Sequence, residues 1–358
     1  MYDFIIIGGG IAGISAGARL SKLGSVLVLE RESALAYHAS GRSAAMFEEQ
    51  YGAPRVIELN RASRAYHETE NGGVLSPRGL MLVAGIGQEE ALAQDLAAMN
   101  MPNITPTEAR DLVPILNPDT LTGAGYHPDA WDIDTDLLLQ NFAREVRANG
   151  AIQTSQKVDQ ITRTANGWRV GCGEDRFEGH VLVNAAGAWA DEVAKLAGLP
   201  PIGIQPYRRS IARIPAPAGH DVTHWPMFMG AAESWYAKPD AGALIVSPEE
   251  EDPMDPHDAW ADDMVLAEGL ARYEAQVTEP VTRMIANWAG LRSFAPDRNL
   301  VLGRAPQDEA FVWCAGQGGY GFQTSPAASQ LLADVVGGRP TALPAESVAD
   351  FSPARFFS

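Results

Sequence analysis

The stretch YDFIIIGGGIAGISAGARLSKLGSVLVLERES, residues 2–33, constrains the fold more than any other part of the chain. Phe4–Ile7 is short, apolar and β-branched, as a parallel strand buried on both faces requires. Ile11 to Leu23 is rich in Ala, Leu and small residues, as in a helix packed on a sheet, and Val26–Leu29 reads as a second strand. Between the first strand and the helix, Gly8, Gly10 and Gly13 form G-x-G-x-x-G, and Glu30 follows about 20 residues on. The first glycine permits the tight turn, the second lets backbone approach a pyrophosphate, and the third lets helix and strand pack closely. The N–H groups of Gly10, Ile11 and Ala12 then face the phosphates at the helix N-terminus. Glu30, with Arg31 beside it, stands where a carboxylate accepts from a ribose diol and repels a 2′-phosphate.

The motif alone does not separate NAD from FAD. Two later stretches do. VLVNAAGAWAD (181–191) reads as another buried strand running into a small-residue turn at Ala186 and Gly187. FVWCAGQGGYGFQTSPAASQLLADVV, near the C-terminus, reads as strand, glycine loop and helix, with Ser325 as N-cap and Pro326 as first helical residue. A helix N-terminus aimed at a flavin pyrimidine carbonyl stabilises the charge of the reduced ring, a service that a nicotinamide does not need.

The remaining chain supplies helices over 53–70, 88–99, 134–151 (capped by Asp134 or Thr135 and ended by Gly150) and 261–276, with strands over 209–214 and 242–247. Asn166-Gly167 marks a hairpin. The acidic tract 249–263 reads as a solvated loop. The fold class is α/β: a Rossmann-type dinucleotide domain assembled from discontinuous segments (1–76, 133–213, 302–358) with an inserted α+β, mixed-sheet substrate domain (77–132, 214–301). A formal net charge of −18 excludes nucleic acid, which needs a basic footprint, and disfavours anionic membrane surfaces. No apolar run approaches the length of a transmembrane helix, and no basic segment precedes an apolar one, so a cytoplasmic protein is expected, with at most loose peripheral membrane association. Cys172 and Cys314 are too few and too far apart for a disulfide framework or zinc site, and no metal is expected.

The segments VLERES, GRSAA, Tyr51-Gly52, DIDTD, LVNAAGAWAD, QPYRRS, WPMF, WAGLRSF and GQGGYGFQTS run nearly end to end. Together they resemble the D-amino-acid oxidase superfamily of flavoproteins, most nearly its bacterial D-arginine dehydrogenase branch. That resemblance implies FAD, held non-covalently, since the loop RSFAPDRNL carries no cysteine for attachment. It implies flavin contacts from Arg42, Ser43 and Ala44, from Val158, and from the loop Gly316, Gly318, Gly319, Tyr320 and Gly321.

It also implies oxidation of an amino acid by hydride transfer from Cα. Arg292 would clamp the carboxylate, since a planar guanidinium fork both binds and orients one. Tyr236 and Tyr51 would meet or wall the substrate, Arg209 would be a second pocket arginine with Arg208 its exposed neighbour, and the Gly319 carbonyl and Gln323 would complete the cavity. Read without the resemblance, Arg292 serves equally as a structural ion pair, and both tyrosines as core. Where the arginine enzymes place a guanidinium-binding glutamate this chain has Leu80, and with Met46, Met227 and Met229 the cavity reads as apolar, fit for a neutral side chain. Glu48 is the opposing signal: facing inward, it would favour a basic substrate, but next to Glu49 it reads first as half of a solvated pair. A secondary or cyclic amino acid is the alternative substrate. The electron acceptor, a quinone or O2, and the oligomeric state are left open.

Overall fold

The computed structural model describes residues 1–357. Its first sheet has eight strands. The parallel centre runs Gly150–Gln153, Val26–Leu29, Tyr2–Ile7, Asp175–Asn184 and Asp308–Ala315. The hairpin Gln160–Thr164/Gly167–Cys172 and the strand Val301–Ala305 extend it antiparallel. Alternation divides these strands between two cores. Phe4, Ile6, Val26 and Val28 pack under the helices Ile11–Leu20, Pro54–Thr69, Thr135–Ala148 and Gly321–Val336, while Ile5, Ile7, Leu27 and Leu29 pack on the other side with Val193 and Trp313. The alternate faces are equally apolar, as strands covered on both sides must be.

The second sheet has nine strands, mostly antiparallel. Its longest ladder joins Gln205–Pro215 to Ala286–Phe294. Ala243–Ser247, Tyr236–Asp240, Met227–Gly230, Leu80–Ala84 and Gly123–His127 follow across it. The whole strand Gln205–Pro215 lies in this sheet, so the expected boundary at 213 cuts through it. A small third sheet pairs Met46–Phe47 and Leu75–Pro77 with Trp131–Ile133.

Most element expectations hold to within a few residues, and the departures have local causes. The first helix stops at Leu20, short of the expected Leu23. The Asp134 carboxylate caps Thr135–Ala148 by accepting from Leu137 N, whereas Gly150 does not end that helix but opens the next strand. The last helix begins at Gly321, four residues before the expected cap, and Pro326 lies inside it. Ser325 Oγ donates to the Phe322 carbonyl, so it belongs to the first turn and is not a cap. At the nucleotide turn, Gly8 has φ 114°, and a Cβ on Gly13 would fall on the Gly8 carbonyl oxygen. Both positions therefore require glycine.

The helix Pro54–Thr69 meets the last helix through a buried histidine. His67 Nε2 donates to the Gln323 carbonyl over 2.9 Å, and its Nδ1 has no partner. Burial pushes the imidazole down to about 4 from 6.5, against the opposing effect of that hydrogen bond. The unfolded chain therefore takes up this proton first, so the stability carried by the neutral ring is complete above pH 6.5 and is lost as pH falls toward 4. Thermal melts of wild type and His67→Gln, which retains a donor for the carbonyl, should show a shallower acid loss in the variant over that window. Superimposable profiles would exclude His67 as an acid-sensitive contact.

Candidate active site

Three cavities of ≈ 190, 150 and 90 Å³ adjoin where the two large sheets meet. The first begins at Gly8, Glu30 and Arg31 and is also lined by Val158, Ala186, Gly187 and Trp189. Lys157, His38 and Arg42 bring cationic or protonatable groups to it. Glu30 is buried; its Oε2 accepts from Gly9 N (2.6 Å) and its Oε1 from Glu32 N (2.8 Å), which orient the carboxylate while leaving lone pairs for a diol. Arg31 lies over the Trp189 ring, 4.8 Å from its centre.

Gly10, Ser40, Arg42 and Gly290 are shared with the second cavity, which continues past Ile11, Ala12, Ser43 and Ala44 to Gly318, Gly319 and Gly321. The helix Ile11–Leu20 has no side-chain cap, so its N-terminal N–H groups point into the junction, with Ile11 N donating to Ser40 Oγ (3.0 Å). The start of the helix Gly321–Val336 opens onto the far end of the same cavity, directing its positive pole there. A diol-binding acid, a diphosphate-sized junction facing a helix N-terminus and a second helix N-terminus beyond it fit FAD in sequence from adenosine to flavin. Gly13, Gly316 and Tyr320 do not line these cavities. Gly13 sets the turn, Gly316 has φ 74° in the C-terminal loop, and Tyr320 packs edge-on against Tyr51.

The loop carrying Arg42–Ala44 is held from the second sheet. Lys238 Nζ donates to the Ala44 carbonyl (2.6 Å) and to Asp132 (2.8 Å), and Trp288 Nε1 donates to the Arg42 carbonyl (3.2 Å). The Arg42 guanidinium bonds the carbonyls of Ala259 and Ala289 and the Asp258 carboxylate. Lys238 shares a strand face with Tyr236, two residues away, and that period is the signal by which sequence reasoning could have found it.

The third cavity is lined by Met46, Glu48, Tyr51, Leu80, Met227, Met229, Tyr236, Arg292, Gly319 and Gln323, which brings every residue expected in the substrate pocket except Arg209 into one wall. The registers Tyr207↔Arg292, Tyr236↔Met229 and Met227↔Leu80 put the sheet residues among them on a single face. Arg209 lines the adjoining second cavity.

Arg292 is half-buried and lines both the second and the third cavity. Burial opposes its charge, but Tyr51, Tyr236, Glu249 and Glu233 around it more than offset that and push its pKa up. Among the described residues no carboxylate oxygen comes within 4.0 Å of it. A buried cation normally has an anionic partner. This one presents its fork to a cavity instead. Burial pushes the hydroxyl pKa values of Tyr51 and Tyr236 up, so both stay neutral donors.

Three expectations are overturned here. Glu48 is not half of a solvated pair: it is 5% exposed, lines the cavity, and has His127 Nε2 3.0 Å from its Oε2. Glu49 instead turns outward to Arg61 and Arg64. Arg208 is not exposed; it is buried against Asp252 at 2.6 Å. The acidic tract is not wholly a solvated loop, because its first residue, Glu249, lines the cavity with a side chain 3% exposed. Burial pushes Glu249 up to about 6 despite Arg209 and Arg292. Its neighbours in an acidic, proline-containing run hid it, yet the ladder Ala212↔Val246, continued past Ser247, sets it opposite Arg209. Burial also pushes the thiols of Cys172 and Cys314 up, to about 11 and about 12, which leaves both unreactive. Among the described residues no His, Cys, Asp and Glu cluster is placed to hold a metal, and no helix is long and apolar enough to cross a membrane.

A family model described as DAO, FAD dependent oxidoreductase, matches residues 3–335. FAD-dependent oxidoreductase domain-containing protein 1 of Bos taurus is 23% identical over 394 residues, covering 93% of this chain and 81% of that protein. The crystal structure of glycine oxidase from Geobacillus kaustophilus is similar in fold at TM-score 0.84 and 23% identity, over 99% of this chain and 98% of that one. That of L-proline dehydrogenase from P. horikoshii has TM-score 0.84 and 22% identity, over 99% and 97%. With a nucleotide turn, a diol-binding acid and a two-helix cleft that fit FAD, and a family match spanning both sheets, this chain belongs to the DAO family of FAD dependent oxidoreductases.

Proposed function

We propose that this oxidoreductase acts on a D-amino acid, converting its Cα–N bond to an imine that hydrolyses to a 2-oxo acid and ammonia. The observation that carries this reading is Arg292: a half-buried guanidinium with no carboxylate oxygen within 4.0 Å among the described residues, open to the cavity that adjoins the cofactor cleft. When bound, FAD supplies the acceptor for the hydride leaving Cα. Arg292 holds the substrate carboxylate in a charge-assisted, bidentate contact of about 1.5–3 kcal/mol, and Tyr51 and Tyr236 add neutral donors. A Cβ on Gly319 would sit 3.1 Å from the Arg292 guanidinium carbon, so glycine there leaves the clamp free and its carbonyl available to the amine. Met46, Leu80, Met227 and Met229 exclude water and accommodate an apolar side chain. The D configuration follows the sequence resemblance; glycine oxidase and L-proline dehydrogenase, which share the fold, support amino-acid chemistry in general.

Glu48 supports a second reading for the side chain. Glu48 lines the cavity, and its buried Oε2 lacks a well-aligned hydrogen bond, although His127 Nε2 stands 3.0 Å from it. A substrate ammonium or guanidinium would satisfy it.

Anaerobic mixing with D- and L-amino acids, glycine and N-methyl or cyclic amino acids, followed by bleaching of the visible flavin band, tests the activity. D-Met and D-Leu are expected to bleach it, and Arg292→Lys should lower kcat/KM by about 10- to 100-fold. Reduction by L-amino acids or secondary amines alone would replace the D-amino-acid reading. Glu48→Gln separates the two side-chain classes. If the pocket takes neutral side chains, D-Met turnover holds or rises; if it takes basic ones, D-Lys and D-Arg turnover falls by about 10-fold or more.

A further inference from the structure

Arg209 and Arg292 lie on the same face of one ladder. Arg209 faces Gly290, and Tyr207, two residues before it, faces Arg292. The two arginines are thus diagonal neighbours, with backbones roughly 7–8 Å apart. Arg209 is buried and Arg292 half-buried, and two adjacent cations held away from bulk solvent call for two anions. The chain provides one of them. Glu249 Oε2 lies 2.8 Å from Arg209 Nη1, with side chains 3% and 5% exposed. Among the described residues Arg292 has no carboxylate oxygen within 4.0 Å, with Glu249 and Glu233 acting on it only from farther off.

We propose that Glu249 is an internal carboxylate that occupies Arg209, so that the pocket accepts one carboxylate of a substrate and turns away a second. This rests on the reading of Arg292 as the clamp for the first. Glu249 stands in the cavity wall itself, where a second substrate carboxylate would have to enter. It is held there in a left-handed backbone conformation, φ 58°, that a glutamate seldom adopts. Its own N–H donates to Ser247 Oγ (3.2 Å), fixing that turn. Arg209 keeps its Nε without a partner and has Glu251 only at 3.6 Å, so its guanidinium depends on Glu249 for its close anionic contact. The site therefore comes with its second anion already in place. A dicarboxylic amine or amino acid, such as iminodiacetate or aspartate, would bring a surplus negative charge against Glu249. A monocarboxylic one balances Arg292 without setting a second negative charge beside Glu249.

The test uses FAD-loaded protein and unreactive ligands, reading dissociation constants from perturbation of the visible flavin spectrum by propionate and by succinate. Wild type is expected to prefer propionate. Glu249→Ala, which opens the space in front of Arg209, should shift the ratio of the two constants toward succinate by about ten-fold or more. Should that variant fail to retain FAD, Glu249→Gln keeps the packing and removes the charge, and it should shift the ratio in the same direction. Wild type binding succinate as tightly as propionate overturns the proposal without any variant, and so does an unchanged ratio in whichever variant folds. Wild type that binds neither acid refutes the Arg292 clamp itself, and with it the inference built on that clamp.

Discussion

Nine consecutive residue pairs, from Gln205↔Phe294 to Arg213↔Ala286, join two long strands at one side of the substrate sheet. Everything chemical in this protein is referred to that ladder. Its period of two sends Tyr207, Arg209 and Ile211 to the same face as Arg292, Gly290 and Trp288, and that face is the one turned toward the nucleotide turn. Slipping the register by one residue would aim both guanidiniums into the opposite core, where Phe228, Leu244 and Val246 pack. The ladder is also where the two halves of the molecule touch. A Cβ on Gly290 would stand 3.6 Å from Ala39 and Arg42, ordinary contact distance, and Trp288 reaches the Arg42 carbonyl, so the cofactor-side loop rests on the strand that carries Arg292.

Electrostatics grade along the cleft. At the nucleotide end, Glu30 is held by two backbone N–H groups, and the uncapped start of the helix Ile11–Leu20 offers its free N–H groups to the cavity. At the other end the charges are discrete side chains set into the cavity wall. Glu249 answers Arg209, His127 stands by Glu48, and Arg292 has no carboxylate oxygen within 4.0 Å among the described residues.

Most of the cofactor half was legible in the sequence because its signals are local. Gly8, Gly10, Gly13 and Glu30 lie within one strand–helix–strand unit, where backbone sterics account for the glycines and the charge and spacing of the carboxylate for Glu30. The pocket was legible only in part. Arg292, Tyr236 and the methionines lie on separate strands, and their meeting depends on pairing that no local pattern encodes. Glu48 and Glu249 were misread for one shared reason: each heads or sits in an acidic run, and composition averages a residue with neighbours that point elsewhere. Glu49 does face solvent, as that average suggests, while the adjacent Glu48 does not. Arg208 was misjudged in the same way, since its partner Asp252 lies on a strand whose pairing is invisible in sequence. The early start of the last helix was hidden by Pro326, which marks a first turn in most helices but here sits within one whose preceding turn closes through Ser325 and Thr324.

Lys238 gives the architecture a common fastening. Its ammonium is bonded at once to the backbone of the segment that crosses the cofactor cleft and to Asp132, which also receives Arg78. The amino-acid pocket and the dinucleotide groove are therefore not independent modules that could be exchanged between relatives at their boundary. Grafting a new substrate sheet onto this nucleotide scaffold without a lysine at that spot would leave the crossing segment tethered at one end only, and the hybrid would shed its chromophore even with every groove residue retained.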